Sequence, residues 1–337
     1  MNKRGFSFAL TFIRHYNELM KTKPPLAIFG LGRMGAQIAK RLHKKGFKVI
    51  AWNRSPEPVK AIKRASLFGT NDLKAAVEEL AKTTNKQSAK RNKQPRIFWI
   101  MLPHAIVDDF IFSPKHLGAY LQKGDIVIDG GNSFYKDSMR RGAKLAKKGI
   151  HFFDCGTSGG VWGEKNGFAL MVGGPKNKWP IIEPIIKALS AGDNYAYLGK
   201  AGAGHFTKMV HNGIEYGMME AIGEGYAVLN AGQFKLNLRD VTRVYQQGSV
   251  VRSWLIDLCR NIFENEDIKN TSGKIDSNGE GEWTVKTGKE LGVDVRVIAD
   301  ALAVRYESTN PKNQKKFSNK MVALMRKQFG GHAVHKK

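Results

Sequence analysis

A glycine-rich turn between two short apolar segments is the feature that most constrains the fold of this chain. Residues 26–29 are apolar and of strand length, and residues 30–35 follow them with the pattern G-x-G-x-x-G. A helical stretch then reaches Lys45, and residues 47–52 form a second apolar segment. In such a unit the first glycine allows a tight turn, the second lets backbone approach a pyrophosphate, and the third lets helix and strand pack closely. The sequence therefore predicts a dinucleotide-binding unit, with the pyrophosphate at the helix N-terminus.

The residues after the second apolar segment bear on which dinucleotide binds. An NAD site usually places Asp or Glu there to hold the ribose 2′-hydroxyl, but this chain has Asn53, Arg54 and Ser55, with no carboxylate before Glu57. A guanidinium and a hydroxyl suit a 2′-phosphate, so the sequence favours NADP. In the alternative, Arg54 only stacks on the adenine, and either NADP or NAD binds.

Strands and helices continue to alternate along the first half of the chain. Strands are predicted over residues 97–103 and 125–133, a helix near residues 138–148, a strand over residues 151–154 and a turn over residues 156–160. This order predicts an α/β fold with a doubly wound, parallel, Rossmann-type sheet. In such sheets ligands lie beyond the carboxyl ends of the strands, which is where the Gly-Gly-Asn-Ser and Ser-Gly-Gly turns fall.

The chain length and a change of pattern predict the domain organisation. At roughly one domain per 100–200 residues, the 337 residues favour two domains, and after Gly199 the pattern becomes helical. We expect a nucleotide-binding domain over residues 25–200 and an all-α domain for substrate binding and oligomerisation, with a basic tail, over residues 201–337. Residues 1–24 are expected to be an extension that is either disordered or the result of a start codon assigned upstream of Met20.

The composition excludes some classes of protein and leaves others open. Fifty-five Lys and Arg against 29 Asp and Glu give a formal net charge of +26 in a chain that is 42% apolar, which indicates a globular protein that attracts anions. Two cysteines supply no disulfide framework and favour a reducing, cytoplasmic location. No apolar run reaches the roughly 18 residues of a membrane span, so no membrane partner is expected.

One helix carries the strongest chemical signal in the second half of the chain. From about residue 205 to 230 the pattern is helical, and Lys208, His211, Asn212 and Glu215 are spaced i, i+3, i+4 and i+7, on one face. A Lys and a Glu two turns apart have the chemistry of an acid–base pair. In the alternative, the helix is amphipathic and its polar stripe meets water, but the stripe lacks the many Lys and Arg of the other polar faces. The opposite face carries Phe206, Met209, Val210, Ile214 and Gly217.

Three motifs together resemble one enzyme family. They are Gly-Gly-Asn-Ser at residues 130–133, Ser-Gly-Gly at residues 158–160, and Gly-Ala-Gly-His-Phe-Thr-Lys-Met-Val-His-Asn-Gly-Ile-Glu-Tyr at residues 202–216. From about Leu26 to His332 the chain resembles the decarboxylating 6-phosphogluconate dehydrogenases, in a short form that lacks the second copy of the helical segment. The resemblance implies oxidative decarboxylation of 6-phospho-D-gluconate to D-ribulose 5-phosphate, with NADP or NAD as hydride acceptor, no metal, and a homodimer or homotetramer.

The resemblance also assigns roles to individual residues. It implies that Lys208 takes the 3-hydroxyl proton and stabilises the enolate, and that Glu215 protonates C1 of the enediol. Substrate contacts are implied for Asn132, Ser158, Gly159, Gly160, His211 and Asn212, with the phosphate on Tyr216, Arg305, Arg326 and His332. Cofactor contacts are expected at Gly30, Leu31, Gly32, Arg33, Met34, Gly35, Asn53, Arg54, Ser55, Met101, Leu102, Pro103 and Asn132. In the family, the segment that resembles residues 326–332 reaches into a neighbouring subunit's site, which implies a homo-oligomer.

One position departs from the family pattern. Asn278 stands where the longer enzymes carry a phosphate-binding lysine, with Glu280 and Glu282 close behind. The alternatives are therefore a weaker phosphate site that accepts a non-phosphorylated aldonate, or the activity of the related 3-hydroxyisobutyrate dehydrogenases, which share the dinucleotide turn and the helix lysine.

Two basic segments raise the separate hypothesis of nucleic-acid binding. Residues 82–96 hold six basic and no acidic residues, and residues 311–337 hold eight basic and no acidic residues. Neither has interleaved aromatics, zinc-ligand spacing or a recognition helix. We interpret the first as a solvated loop and expect non-specific polyanion binding at most. A non-catalytic cofactor-binding module is disfavoured by the intact Lys208 and Glu215.

Overall fold

The computed structural model describes residues 23–88, 94–277 and 279–334, so residues 1–22 of the predicted N-terminal extension and Asn278 lie outside the described residues. Contacts between residues divide the chain into two units, Met1–Lys208 and Met209–Lys337. The first unit contains a sheet flanked by helices, and the second consists of helices. The predicted fold class is therefore confirmed.

Strand and helix alternate through most of the first unit. Within the described residues its strands are β1 Leu26–Phe29, β2 Val49–Trp52, β3 Phe68–Thr70, β4 Ile97–Ile100, β5 Ile126–Asp129, β6 His151–Ser158, β7 Phe168–Gly173 and β8 Ser190–Gly199. The helices between them are α1 Arg33–Lys44, α2 Pro56–Arg64, α3 Leu73–Ser88, α4 His104–Phe112, α5 Tyr135–Ala146, α6 Gly163–Asn166 and α7 Trp179–Leu189. Helix α8 Ala203–Ala231 begins in the first unit, and the second adds α9 Leu238–Gln246, α10 Trp254–Asn265, α11 Glu280–Glu290, α12 Arg296–Glu307 and α13 Phe317–Gly330.

One sheet organises the first unit, with the strand order β3-β2-β1-β4-β5-β6-β7-β8 among the described residues. Strands β1 to β6 are parallel, whereas β7 runs antiparallel to β6. The strand order reverses at β1, which has β2 on one side and β4 on the other. Such a reversal leaves a crevice at the carboxyl ends of β1 and β4, where open α/β sheets bind ligands.

Helices cover both faces of the sheet, which explains the uninterrupted apolar strands. Leu26 and Ile28 of β1 lie in one core cluster with side chains of α1, α2 and α7, while Ala27 and Phe29 lie in a second with side chains of α3, α4 and α5. Successive strand residues point to opposite faces. A strand that is buried on both faces therefore has a continuous run of apolar residues in its sequence.

The second unit has an apolar core of its own. Helix α8 contributes Tyr216, Met219 and Tyr226 to this core, and α10 and α13 contribute further side chains. Residues 321–325 of α13 are buried at every position, which is typical of a helix that is apolar all round.

Two predictions about local structure are wrong. The turn predicted over residues 156–160 is mostly strand, because Gly156, Thr157 and Ser158 pair with β7 in antiparallel register and extend β6 to Ser158. The basic segment over residues 82–96 is not a loop throughout, since α3 continues to Ser88 and residues 89–93 lie outside the described residues.

Candidate active site

The turn after β1 is shaped by close approaches of backbone. Gly30 has a φ of 101°, which side-chain-bearing residues rarely adopt, and a Cβ added there would overlap the carbonyl oxygen of Met101. A Cβ at Gly35 would overlap the carbonyl oxygen of Gly30, so its absence lets α1 pack on the turn. At Gly32 an added Cβ would meet no atom within 4 Å. Packing within the protein therefore does not require glycine at this position, and the space in front of it fits a ligand.

The start of α1 has the electrostatic character of an anion site. No side chain caps the helix at Gly32, and its first turn contains no acidic residue. The first N–H groups of a helix lack backbone partners and carry partial positive charge. Arg33 is exposed at this end, while Met34 is half-buried against the core. The residues of the turn thus fit the pyrophosphate of a dinucleotide.

Asn53 braces the glycine turn from the end of β2. Its Oδ1 accepts a hydrogen bond from the Leu31 N–H at 2.9 Å, and its Nδ2 donates to the Ser55 carbonyl at 3.1 Å. The side chain predicted to contact the cofactor therefore also holds the turn in shape. Arg54 and Ser55 are exposed beside it, where they are accessible to a group on the ribose.

The ends of β1, β4 and β5 leave the sheet at the same edge. The Met101 N–H donates to the Phe29 carbonyl at 2.8 Å, and the Gly130 N–H donates to the Ile100 carbonyl at 2.9 Å. A side chain on Gly130 would overlap the indole of Trp99, which explains the glycine there. The predicted contact segments after β4 and β5, including the half-buried Leu102 and the exposed Pro103, thus begin beside the glycine turn.

Asp129, the last residue of β5, holds the Gly-Gly-Asn-Ser turn. One carboxylate oxygen accepts from the Gly131 N–H at 3.2 Å, and the other accepts from Ser133 Oγ at 2.8 Å and Arg141 Nη1 at 3.0 Å. Both charged side chains are fully buried. This network leaves Asn132 exposed at the tip of the turn, where its carboxamide is accessible to a ligand.

Asp154 of β6 fixes the start of α8, and with it Lys208. Its carboxylate oxygens accept from the Gly202 N–H at 2.6 Å and the His205 N–H at 2.7 Å, which satisfies donors that a helix start leaves unpaired. A Cβ on Gly156 would overlap the Cβ of Lys208, so the missing side chain on β6 makes room for the lysine stem. Lys208 is only 7% exposed and therefore does not belong to a solvated stripe.

Several supporting residues escaped the sequence analysis. They are Asp129, Arg141, Asp154 and Ser138, whose Oγ lies 2.7 Å from Nδ1 of the buried His205. The signal for Asp129 and Asp154 in the sequence is a carboxylate at the end of an apolar segment, within two residues of a glycine; Arg141 and Ser138 have no such signal. A carboxylate at such a position is buried, so it must find donors nearby.

The turn after β6 consists mainly of glycine. Ser158 is the last residue of β6, and Gly159 and Gly160 follow it with φ values of 132° and 56°. These conformations favour glycine. All three residues are half-buried, so this turn is partly accessible at this end of the strand.

In the second unit α8 carries the rest of the predicted polar stripe. Asn212 is buried, and His211 and Glu215 are half-buried. His211 Nδ1 lies 2.8 Å from Asn212 Oδ1 and 3.8 Å from Glu215 Oε2. Lys208 and Asn212 are therefore shielded from water, which disfavours the alternative of a solvated stripe for these two residues, whereas His211 and Glu215 are partly exposed. The opposite face is not uniformly apolar and buried either, since Ile214 is 52% exposed.

A cluster of one tyrosine and two arginines, which we call the Tyr216 cluster, lies in the second unit. The guanidinium carbon of Arg305 lies 3.1 Å above the centre of the Tyr216 ring, and Arg305, Arg326 and Tyr216 are all buried. Burial lowers the pKa of Arg305 to about 10 and also lowers the pKa of Arg326. A pKa of about 10 keeps the Arg305 guanidinium charged at neutral pH. Two buried cations beside a phenol can bind a phosphate, so the structure brings together three of the four predicted phosphate ligands.

The fourth predicted phosphate ligand is His332. His332 follows α13 and is edge-on to the ring of Phe329, with ring centres 6.3 Å apart. Asn278, at the position of the family lysine, lies outside the described residues. Arg326 interacts electrostatically with Tyr216 of its own chain, whereas the resemblance implies a residue that reaches into a neighbouring subunit.

The basic segment over residues 311–337 is not exposed throughout. In residues 311–337, Lys320 and Arg326 are buried, and Lys320 Nζ donates to the carbonyls of Ile268 at 3.0 Å and Lys269 at 2.8 Å. Part of the positive charge of this segment thus serves the interior of the helical unit, which disfavours a continuous nucleic-acid surface.

Two kinds of feature are absent from the described residues. Among the described residues, no helix is long and apolar enough to cross a membrane. No group of three or more His, Cys, Asp or Glu side chains in that part of the chain is placed to hold a metal ion.

Models of known protein families match both halves of the chain. A family model described as the NAD binding domain of 6-phosphogluconate dehydrogenase matches residues 25–199, and one described as the C-terminal domain of 6-phosphogluconate dehydrogenase matches residues 204–336. The Bacillus subtilis protein YqeC, assigned by name to the 6-phosphogluconate dehydrogenases, is 40% identical over 313 residues, which are 93% of this chain and 99% of that protein. The NAD-dependent, decarboxylating 6-phosphogluconate dehydrogenase of Haloferax volcanii is 34% identical over 315 residues, with the same shares.

A solved structure agrees with these matches. The 6-phosphogluconate dehydrogenase of Plasmodium falciparum, described with its cofactor NADP+ and with its substrate 6-phosphogluconate, has a TM-score of 0.72 at 28% identity, over 84% of this chain and 62% of that chain. The glycine turn, the buried helix lysine and these matches agree on an oxidoreductase with a nicotinamide cofactor. The chain belongs to the 6-phosphogluconate dehydrogenase family.

Proposed function

We propose that this protein oxidises 6-phospho-D-gluconate and removes its carboxyl group as carbon dioxide, which yields D-ribulose 5-phosphate and a reduced nicotinamide dinucleotide. The observation that carries the proposal is the buried Lys208, which lies against Gly156 on a helix whose first turn is fixed by Asp154. A lysine held in this way is suited to proton transfer. Residues 25–200 form the nucleotide-binding domain in this proposal, and residues 201–337 form the domain for substrate binding and oligomerisation.

Lys208 is the base for the oxidation and the acid for the decarboxylation. When bound, the nicotinamide supplies the hydride acceptor. Lys208 Nζ takes the 3-hydroxyl proton as the hydride leaves C3, so that C3 becomes a ketone. The C1–C2 bond then breaks, carbon dioxide leaves, and the electron pair forms an enolate whose oxygen receives the proton back from Lys208. We propose no metal in this step because the lysine ammonium stabilises the enolate charge.

Glu215 completes the reaction by protonating C1 of the enediol, which gives the ketone of ribulose 5-phosphate. Its half-buried carboxyl lies one helical turn from His211, with Oε2 3.8 Å from Nδ1. The hydroxyls and carboxylate of the substrate are held by Asn132, Ser158, Gly159, Gly160, His211 and Asn212.

The phosphate of the substrate binds to Tyr216, Arg305, Arg326 and His332. Arg305 and Arg326 supply most of the affinity, because both are buried and charge-assisted hydrogen bonds are the strong ones. Asn278 offers no charge where the longer enzymes carry a lysine, so the two arginines bear more of the recognition here.

The substrate class is tested by comparing 6-phosphogluconate, gluconate and 3-hydroxyisobutyrate with NADP and with NAD. We expect kcat/KM to be highest for 6-phosphogluconate, by about 10²-fold or more over gluconate, because a substrate without phosphate leaves buried cations unpaired. Absence of turnover of 6-phosphogluconate with either cofactor would falsify the proposal. A preference for gluconate would indicate an aldonate dehydrogenase, and a preference for 3-hydroxyisobutyrate the related family.

We propose NADP as the preferred cofactor, with NAD as the alternative. The relative from H. volcanii is named as NAD-dependent, and the P. falciparum enzyme is described with NADP+. NADP is supported by the exposed Arg54 and Ser55, which follow β2 where an NAD site would carry a carboxylate. The contacts are proposed at Gly30, Leu31, Gly32, Arg33, Met34, Gly35, Asn53, Arg54, Ser55, Met101, Leu102, Pro103 and Asn132.

Arg54→Ala is expected to raise the KM for NADP by about tenfold or more, because a charge-assisted hydrogen bond to the 2′-phosphate is worth about 1.5–3 kcal/mol. The KM for NAD, which has no such phosphate, should barely change. Steady-state kinetics with both cofactors check this, and Arg64→Ala, an exposed arginine on α2, is the matched control. An equal effect of Arg54→Ala on both cofactors would refute the 2′-phosphate role.

A homo-oligomer is also proposed, and its support is the surface of the helical unit. Large apolar side chains are exposed there at Val228, Phe234, Val244, Val250 and Val251, and exposed apolar surface is typical of subunit interfaces. Light scattering should give at least twice the chain mass of 37.5 kDa, and Phe234→Asp should reduce that mass. Phe68→Asp, at an exposed phenylalanine of the first unit, is the control. A single-chain mass for the unchanged protein would contradict this proposal.

We place the protein in the cytoplasm, which is supported by its two buried cysteines outside any disulfide. Its partners are a phosphorylated sugar acid, the dinucleotide and other copies of itself, with no specific nucleic acid and no membrane.

A further inference from the structure

Glu220 is a buried carboxylate that the proposed mechanism does not use. It lies on α8 four residues beyond Tyr216, on the same side of the helix. It is 5% exposed, and neither of its oxygens has a hydrogen-bond partner among the described residues. Arg305 is 1% exposed, and its Nε and Nη2 are likewise without a partner in the described part of the chain. Buried polar groups are normally satisfied, so this pair of unsatisfied charges points to a ligand that completes it.

The two unsatisfied side chains act on one another. The positive charge of Arg305 favours the ionised form of Glu220, and Glu220 in turn favours the charged form of Arg305. The guanidinium of Arg305 is held over the ring of Tyr216 at 3.1 Å. Glu220 therefore shares its electrostatic environment with the proposed phosphate site, although it makes no hydrogen bond to the arginine.

Opposing charges surround this site. Glu215 and Glu224 lie on α8, Arg305 lies on α12 and Arg326 lies on α13. Asp276 precedes α11, and Glu280 is the first residue of α11. Burial raises the pKa of Glu220 to about 7; Arg305 lowers it, and Glu224 raises it further. Near neutral pH this carboxyl therefore gains or loses a proton with a small change in its surroundings.

A bound phosphate makes such a change. A phosphate monoester carries close to two negative charges above pH 7. An ionised Glu220 repels that dianion and competes with it for Arg305, whereas a protonated Glu220 removes the repulsion and adds an O–H donor. The dianion therefore favours the protonated form of the carboxyl.

We propose that Glu220 sets the charge of the phosphate subsite, and that its carboxylate takes up one proton from solvent when the phosphate of the substrate binds. This inference rests on the proposed function, because it takes Arg305 as a phosphate ligand. Glu220 is a positioning residue that acts through Arg305, and its ligand class is the phosphate monoester dianion. An aldonate without phosphate brings no such charge and takes up no proton there.

The test counts protons. Calorimetric titration of the cofactor-free protein with 6-phosphogluconate at pH 8, in two buffers of different ionisation enthalpy, gives the protons taken up per substrate bound without turnover. We expect nearly one proton for the unchanged protein and for Glu224→Gln, an exposed glutamate on the same helix, and nearly none for Glu220→Gln. Glu220→Gln should also bind 6-phosphogluconate about tenfold more tightly than the unchanged protein at pH 8 and equally at pH 6, given a pKa of about 7.

The outcomes separate the two proposals. If Glu220→Gln takes up as many protons as the unchanged protein, or binds no more tightly at pH 8, the role of Glu220 is overturned. If Glu220→Gln does not fold, the affinity of the unchanged protein for 6-phosphogluconate is the test. This affinity should weaken about tenfold between pH 7 and pH 8.5. A constant affinity overturns the inference. A protein that oxidises 6-phosphogluconate without proton uptake contradicts only this inference, whereas one that neither binds nor oxidises it contradicts the proposed function as well.

Discussion

Replacement of Lys208 by methionine is expected to lower kcat for 6-phosphogluconate by about 10³- to 10⁴-fold, because this side chain is both the base for oxidation and the acid for decarboxylation. Methionine is unbranched and apolar, so it fills the space against Gly156 without a charge to bury. Asp154 still fixes the start of α8, and the affinity for NADP should therefore not change. Stopped-flow measurement of cofactor reduction gives the rate of hydride transfer, and equilibrium titration gives the cofactor affinity.

The control for this variant is Lys200→Met, at an exposed lysine just before α8. It removes the same charge from the same region of the chain and should retain full activity. A Lys208→Met protein that reduces NADP at an undiminished rate would show that another group is the base. A protein that loses cofactor affinity as well would show that Lys208 is structural.

Arg305→Met is expected to raise the KM for 6-phosphogluconate by about 10²-fold, because a hydrogen bond to a charged group contributes about 1.5–3 kcal/mol and Arg305 can make two to a phosphate. The effect on kcat should be small at saturating substrate, since the phosphate lies at the opposite end of the substrate from C1 and far from C3. The kcat/KM for gluconate, which has no phosphate, should change little. Initial-rate kinetics with both substrates measure the difference.

Arg296→Met is the matched control, because Arg296 is an exposed arginine at the start of the same helix, α12. This change should leave the KM for both substrates unaltered. If Arg305→Met lowered kcat/KM for gluconate and for 6-phosphogluconate by the same factor, Arg305 would be needed for the shape of the helical unit and not for the phosphate.

The parts of the fold that follow from local patterns are predictable from the sequence. The unit from β1 to β2 is found as expected because its glycines, its strand residues and the helix between them lie within about thirty residues and obey simple rules. The long helix α8 is found for the same reason, since apolar and polar positions alternate with helical spacing. Both features depend on neighbours in the chain and not on distant partners.

Contacts between distant segments account for what the sequence did not predict. The strand β6 continues past Gly156 because β7 pairs with it, and nothing in the local sequence requires that pairing. The partners of the Asp154 carboxylate, Gly202 and His205, are about fifty residues away in the sequence, so the structure is needed to identify them. Ile214 is exposed although it lies on the apolar face of α8, which helical spacing alone cannot anticipate.

Among the proposed site residues, too, some are identified by local sequence and others only by contacts between distant segments. Lys208 and Glu215 were found because they lie on one helix with a spacing that suggests chemistry. Glu220 lies on the same helix but was not singled out, since its significance depends on burial and on Arg305, which is distant in the sequence. Residue spacing along the sequence therefore identifies residues that act together on one helix. It does not identify partners that are distant in the sequence and meet only in the fold.

The excess of positive charge has two roles in this account. Arg305 and Arg326 are buried, where they can meet an anion, and Lys320 is buried against backbone carbonyls. Most other cations within the described residues are at the surface, where a positive field raises the local concentration of anionic substrate and cofactor. The rate of association with 6-phosphogluconate should accordingly fall as salt is added.

The central claim is that oxidation and loss of carbon dioxide occur on one substrate, and labelled 6-phosphogluconate tests it most directly. With ¹³C at C1, the account predicts one labelled carbon dioxide for each NADPH formed, and ribulose 5-phosphate without label. Lys208→Met should suppress both products together. Formation of the reduced cofactor with the label retained in a sugar acid, or no formation of NADPH or NADH at all, would contradict the account.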